Sequence, residues 1–223
     1  MTCCRCVNVM PEHFRQMILC PERVDFLMTP TELEAVLRQV GLIGAGIEIG
    51  TRTRTDNSSG GQRYWVGEHF LQHISFMGCA PAVEFAPPDD ASSNEAAQSQ
   101  YTFIYLPELS NELLWQADLM MAKAGCPACK KRAPCSDALD EYFDEAKSLF
   151  TCPHCQQQSP VCDVDWREFG GCARTMFSIV NVYPKEAIPS GNLINQLATL
   201  TNVAWRYFYI NGPLPNADQI NGA

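Results

Sequence analysis

TMFSIVNVYPKEAIPSGNLINQLATLTNVAWRYFYI, residues 175–210, reads as strand, helix, strand. The first part, 175–183, is the apolar run of a buried strand, and 188–201 is helical. VAWRYFYI, 203–210, has the β-branched and aromatic content that suits a pleated, packed surface. The same order recurs near the other end of the chain. MILCPERVDFL (17–27) is a strand interrupted by Pro21, and MTPTELEAVLRQVG (28–41) is a helix. Thr29 can cap that helix, Pro30 suits its first turn and Glu32 completes a capping box. Leu33, Val36, Leu37 and Val40 fall at helical spacing before Gly41 stops it, and GIEIGTRTR (46–54) alternates like a half-buried strand. Two strand-helix-strand units predict an α+β domain, most simply of ferredoxin-like type. Its parts would be an N-terminal portion over 1–124, an inserted ribbon over 125–165 and a completing portion over 166–223.

Between the two units the periodicity predicts two more helices. One is WVGEHFLQHISFMG (65–78), with Phe70, Ile74 and Met77 on one face; the other is SNELLWQADLMMAKAG (110–125), capped by Ser110 and stopped by Gly125. PAVEF (81–85) and YTFIYL (101–106) are expected to pair as strands around APPDDASSNEAAQSQ, which has almost nothing to bury.

GCPACKKRAPCSDALDEYFDEAKSLFTCPHCQQQSP, 125–160, holds two Cys-x-x-Cys pairs. Two residues between cysteines let one tight turn aim both sulfurs at a single ion, and a second such turn closes a tetrahedron. Cys126, Cys129, Cys152 and Cys155 are therefore the expected metal ligands. Four thiolates leave no position for water or substrate, so the site reads as structural. With their Cys-Pro-x-Cys turns, CPACK and CPHCQ, these residues resemble the zinc-ribbon and rubredoxin-type knuckle class. That resemblance covers 125–165 and implies one structural Zn²⁺, with iron a less favoured occupant of the same sulfurs. Such knuckles often carry glycine after the second cysteine, where Lys130 and Gln156 stand here. SDALDEYFDEAKSLF between the turns reads as an acidic amphipathic helix, with Leu139, Phe143, Ala146 and Phe150 along one side, and as a candidate contact surface. Cys135, Cys162 and Cys172 read as small buried residues, and His154 as a neighbour of the ligands that points to solvent or supports a sulfur by hydrogen bonding.

Other candidate sites are less complete. His69 and His73 are four residues apart, a spacing by which a helix presents two imidazoles to a metal, with Glu68 and Cys79 as neighbours. Structural histidines are the favoured reading, because no matching carboxylate motif accompanies them. Cys79 as a nucleophile would follow the negative end of a helix, which does not help its ionisation. Cys3, Cys4 and Cys6 in MTCCRC can carry a soft metal ion. Gly44 and Gly46 do not make a dinucleotide fingerprint, since Gly50 falls one residue late and the glycines precede a strand.

The formal net charge of the 223-residue chain is −9, which disfavours nucleic acid and anionic lipid. A four-thiolate zinc adds about −2 more. The run 125–165 sets four basic residues against seven acidic ones, although Lys130-Lys131-Arg132 keeps a local basic patch open. No apolar run reaches membrane-spanning length, and the first residues lack the basic start and apolar core of a secretory signal. A cytoplasmic location with reduced thiols is thus expected. These features favour a non-catalytic accessory or adaptor protein that meets a protein partner. The alternatives are a metal-dependent or thiol enzyme built on His69, His73 and Cys79, and a metal-delivery or maturation factor using the N-terminal cysteines.

Overall fold

In a computed structural model, the described residues are 14–47, 60–77, 85, 101–110, 113–135, 143–144 and 149–215. Among the described residues strands dominate, with few helices, an α+β-like composition. The main sheet has six antiparallel strands. They are β1 (Phe14–Pro21), β2 (Ile43–Gly46), β3 (Gln62–Val66), β5 (Phe103–Leu106), β13 (Phe177–Val180) and β15 (Trp205–Gly212). The spatial order is β15-β1-β13-β5-β3-β2.

The C-terminal strand-helix-strand unit forms as the sequence predicts. β13 is followed by helix α3 (Gly191–Thr201) and then β15, and β1 lies between the two strands, antiparallel to both. That is a split unit with parallel outer strands. Ser190 caps α3 by accepting from the Leu193 N–H. The first unit differs from the expected one: its first strand is Phe14–Pro21, the strand after its helix is Ile43–Gly46, and residues 48–54 of the expected GIEIGTRTR strand lie outside the described residues. Helix α1 (Pro30–Gln39) has the full capping box between Thr29 and Glu32, and Gly41 takes φ +71° just beyond it. A Cβ at Gly41 would lie 2.5 Å from the His69 ring, so the turn needs glycine for space as well as for its dihedral. β13, β5 and β3 all stand between β1 and β2, so the sheet is wider than a four-stranded ferredoxin-like one.

Both helices cover one face of the sheet. Leu33 and Leu37 of α1 and Leu193 and Leu197 of α3 pack with Met17, Leu19, Ile104, Phe177, Ile179, Trp205 and Tyr209. The alternate side chains, Ile18, Cys20, Phe208 and Ile210, face the other way and meet Leu114 and Ala173. β1 is consequently buried along nearly its whole length, the pattern of a strand covered on both faces.

Two predicted helices are replaced by strands. Over 65–78 the chain finishes β3, makes the single turn α2 (Phe70–His73) and continues as β4 (Ile74–Phe76). Trp65 is held in register with Phe103, and β4 pairs with β14 (Ala187–Pro189), so cross-strand pairing overrides the apparent helical period. Over 110–125 the chain forms β6 (Leu114–Ala117), a turn, and β7 (Lys123–Gly125). Asp118 is why that turn forms: its buried carboxylate accepts from the N–H groups of Met120 and Met121 and from Asn211 on β15. Of the expected PAVEF strand only Phe85 is described, packed against Phe70 and Phe76.

Residues 107–176 leave the sheet at β5 and return at β13, which are direct neighbours. At the base of this excursion β6 pairs with β12 (Gly170–Ala173). Leu114 and Ala173 point to the main sheet, whereas Trp115 and Cys172 point into a second core with Ala124, Phe150, Val161 and Trp166. A Cβ at Gly171 would come within 2.7 Å of the Arg206 guanidinium and 2.8 Å of the Phe208 ring, so glycine lets β12 lie close on β15. The cysteine cluster sits on this second core.

Candidate metal centre

Two hairpins present the four cysteines. β7 pairs with β8 (Arg132–Pro134), and β10 (Leu149–Thr151) pairs with β11 (Gln158–Pro160). Their registers are equivalent: Lys123 faces Pro134 as Leu149 faces Pro160, and Gly125 faces Arg132 as Thr151 faces Gln158. The turns match as well. The Cys126 N–H donates to Lys131 O at 2.9 Å and the Lys130 N–H to Cys126 O at 3.0 Å; Cys152 N–H to Gln157 O and Gln156 N–H to Cys152 O repeat this at 3.0 and 2.8 Å. Each turn closes through a residue at φ +60°, Lys130 in one and Gln156 in the other. These are the positions where the knuckle class often has glycine, and the left-handed backbone is the reason.

The sulfurs of Cys126, Cys129, Cys152 and Cys155 all lie within 4.8 Å of one another. Sγ of Cys126 is 3.7 Å from that of Cys155, and Cys129 is 3.7 Å from Cys152. A tetrahedron with metal–sulfur bonds of about 2.3 Å has edges of about 3.8 Å, so the four sulfurs are already spaced to hold a metal ion. Among the described residues this is the one group of three or more such side chains that can do so. Cys126 and Cys152 are buried, Cys129 is half-buried and Cys155 is exposed.

The charge states differ across the cluster. The Cys126 thiol is pulled down to about 6, first by the Cys129 backbone N–H and then, against burial, by the Ala128 N–H and the sulfurs of Cys152 and Cys129. For Cys155 the Gln157 N–H favours the thiolate, but loss of water and the sulfurs of Cys152, Cys129 and Cys126 push it up to about 12. One thiolate forms readily; four at this distance require a cation among them.

Polar contacts brace the hairpins against each other and against the base. His154, inside the second turn, lies 3.2 Å from the Arg132 carbonyl through Nε2, so it joins the two hairpins rather than supporting a sulfur. The Arg132 guanidinium donates to Lys123 O and pairs with the Asp165 carboxylate. Asp165 in turn exchanges both backbone hydrogen bonds with Gly125, the residue before Cys126. Arg132 is thereby committed inside the lobe, which leaves Lys130 and Lys131 as the exposed cations of the basic run.

Two expectations for this segment are corrected. The acidic helix is absent where the chain is described: Phe143–Asp144 is strand β9, pairing with β10, and Phe150 lies in β10 with its ring buried in the lobe core. Leu139 and Ala146 lie outside the described residues. Cys162 and Cys172 are joined by a disulfide and are not separate reduced thiols, because the short 3₁₀ turn Val161–Asp163 places Cys162 beside β12 with Cα atoms 5.3 Å apart. Cys135 is a small buried residue, as expected. The repeat of the hairpin at an offset of 26 residues was missed, although Pro134 and Pro160 each stand eight residues after the first cysteine of their turn.

The histidine pair is arranged differently. His73 is buried, with Nε2 2.7 Å from the Val40 carbonyl, while His69 is exposed and lies beside Glu68. The rings are 6.5 Å apart, edge to face. No third ligand joins them among the described residues. His73 thus ties the end of α1 to α2, a structural task. Cys79 and the N-terminal Cys3, Cys4 and Cys6 lie outside the described residues. Among the described residues, a space of about 10 Å³ is lined by Met28, Leu33, Glu108 and Arg174, and an open groove of about 310 Å³ runs along Gly46, Ile47 and Gly61–Tyr64; neither is lined by a histidine or a cysteine. No described helix is long and apolar enough to cross a membrane.

Together the fold and site define an α+β chain with a four-cysteine centre on a long excursion from its sheet. No protein-family model, curated protein or solved structure matches it.

Proposed function

We propose that this chain is a non-catalytic accessory protein whose four cysteines hold one structural Zn²⁺, and that the paired hairpins form a docking lobe for a protein partner. The observation that carries this is the closed set of four sulfurs at tetrahedral spacing. A metal with four protein ligands has no place for substrate, so its work is to fix shape. Zinc fits the thiolate set and needs no redox role; iron is the less favoured occupant.

The outer ends of both hairpins carry exposed polar groups, Lys130 and Lys131 on one and Gln156, Gln157 and Gln158 on the other. A rigid polar tip of this kind suits recognition. The enzymatic alternative loses support at His73, whose Nε2 is committed to the Val40 carbonyl. The test is to compare proteins crosslinked to the zinc-loaded chain with those crosslinked to a K130E/Q157E variant that retains its metal. Loss of a specific partner supports the lobe as the docking surface. An unchanged set refutes it.

A further inference from the structure

We propose that the centre is a peroxide-sensitive zinc switch in which Cys155 is the sulfur attacked and Cys126 the sulfur that resolves it. The inference rests on the zinc reading above and adds regulation to it. Burial is graded around the cluster: Cys126 and Cys152 are enclosed, Cys129 is half covered and Cys155 faces solvent. The other described cysteines do not compete. Cys162 and Cys172 are consumed in their disulfide, while Cys20 and Cys135 are buried. Among the described cysteines, an oxidant arriving from solvent therefore meets Cys155 first. Sγ of Cys126, on the opposite hairpin, is 3.7 Å away, so the partner for a disulfide is in van der Waals contact before any movement.

The chemistry balances with hydrogen peroxide as the named oxidant. The Cys155 thiolate attacks one peroxide oxygen; the O–O bond breaks, a sulfenic acid forms and the second oxygen leaves as hydroxide. The Cys126 thiolate then attacks the Cys155 sulfur, an S–S bond replaces the S–O bond, and a second hydroxide leaves. Two thiolates, one peroxide and two protons become one disulfide and two waters. The ion loses two of its four ligands, one from each hairpin, and departs. What held the hairpins through the metal would then be a covalent link between the same two turns. The outcome is a changed docking lobe, not an unfolded one.

The experiment uses the full chain loaded with zinc, treated with increasing hydrogen peroxide beside a chromogenic zinc chelator. Samples are quenched by alkylation and mapped by mass spectrometry, with dimedone added in a parallel series. The expected result is one zinc released per peroxide consumed, a Cys126–Cys155 disulfide, dimedone trapped at Cys155, and Cys135 unoxidised. Zinc retained through a tenfold excess of peroxide, or release with first oxidation at another cysteine, overturns the switch alone. Absence of bound zinc at the outset overturns the switch together with the reading on which it rests.

Discussion

Replacing Lys130 and Gln156 by glycine should tighten the metal centre. Both residues sit at φ +60° and both donate their N–H to the carbonyl of a cysteine of the cluster. An L-residue in this region is disfavoured by about 1–2 kcal/mol, whereas glycine enters it without a Cβ clash. Glycine also gains freedom in the unfolded chain, which offsets about 0.5–1 kcal/mol of that relief. The expected net effect is about 0.5 kcal/mol per site. Two sites give about 1 kcal/mol, or roughly a fivefold tighter metal. The gain should appear in metal affinity because these turns close around the ion. A competition titration of zinc against a chelator reads it directly, with K130V/Q156V as the opposing control, since a β-branched residue is worse at positive φ. Equal affinities for the glycine and valine pairs would show that the left-handed turns do not hold the sulfurs in place.

Other consequences are open to measurement. Burial raises Cys20 to about 11 and Tyr209 to about 12, with Tyr207 adding to the latter. Both groups fold in the protonated form, so their contribution is intact below the ordinary thiol and phenol values and is lost as pH rises through the folded ones. Denaturant melts should show stability falling between about pH 9 and 12, and a flat profile there would contradict their burial. His73→Ala should leave the Val40 carbonyl without its buried donor and cost about 1–3 kcal/mol, with zinc content unchanged; loss of metal would return that histidine to the list of ligands. Reducing Cys162–Cys172 frees the short loop it closes and should lower stability by about 2–3 kcal/mol in the C162S/C172S chain. No change in the melt would mean that β6–β12 pairing and the metal fix the lobe without it.

Local chemistry explains what was legible. α1 could be read because Thr29, Pro30, Glu32 and Gly41 each state a boundary, and the structure uses all four. The final strand-helix-strand unit could be read because its apolar content matches elements buried on a sheet face. The four-cysteine cluster could be read because Cys-x-x-Cys spacing is a short-range signal. The failures are those of tertiary context. Phe70, Ile74 and Met77 fall at helical spacing, but the pairing of β3 with β5 and of β4 with β14 decides their conformation. Leu114 and Gln116 alternate with Trp115 and Ala117 as a strand requires, and the Asp118 turn that follows depends on Asn211, far along the chain. The Cys162–Cys172 bridge leaves no mark in spacing; it depends on β12 lying beside the turn after β11.

The most direct test of the account is elemental analysis of the purified chain, metal by metal, before and after replacement of Cys126 or Cys152 by serine. One zinc per chain, lost in either variant, is the predicted result. A chain without bound metal, or one whose zinc survives both substitutions, would contradict the four-sulfur centre.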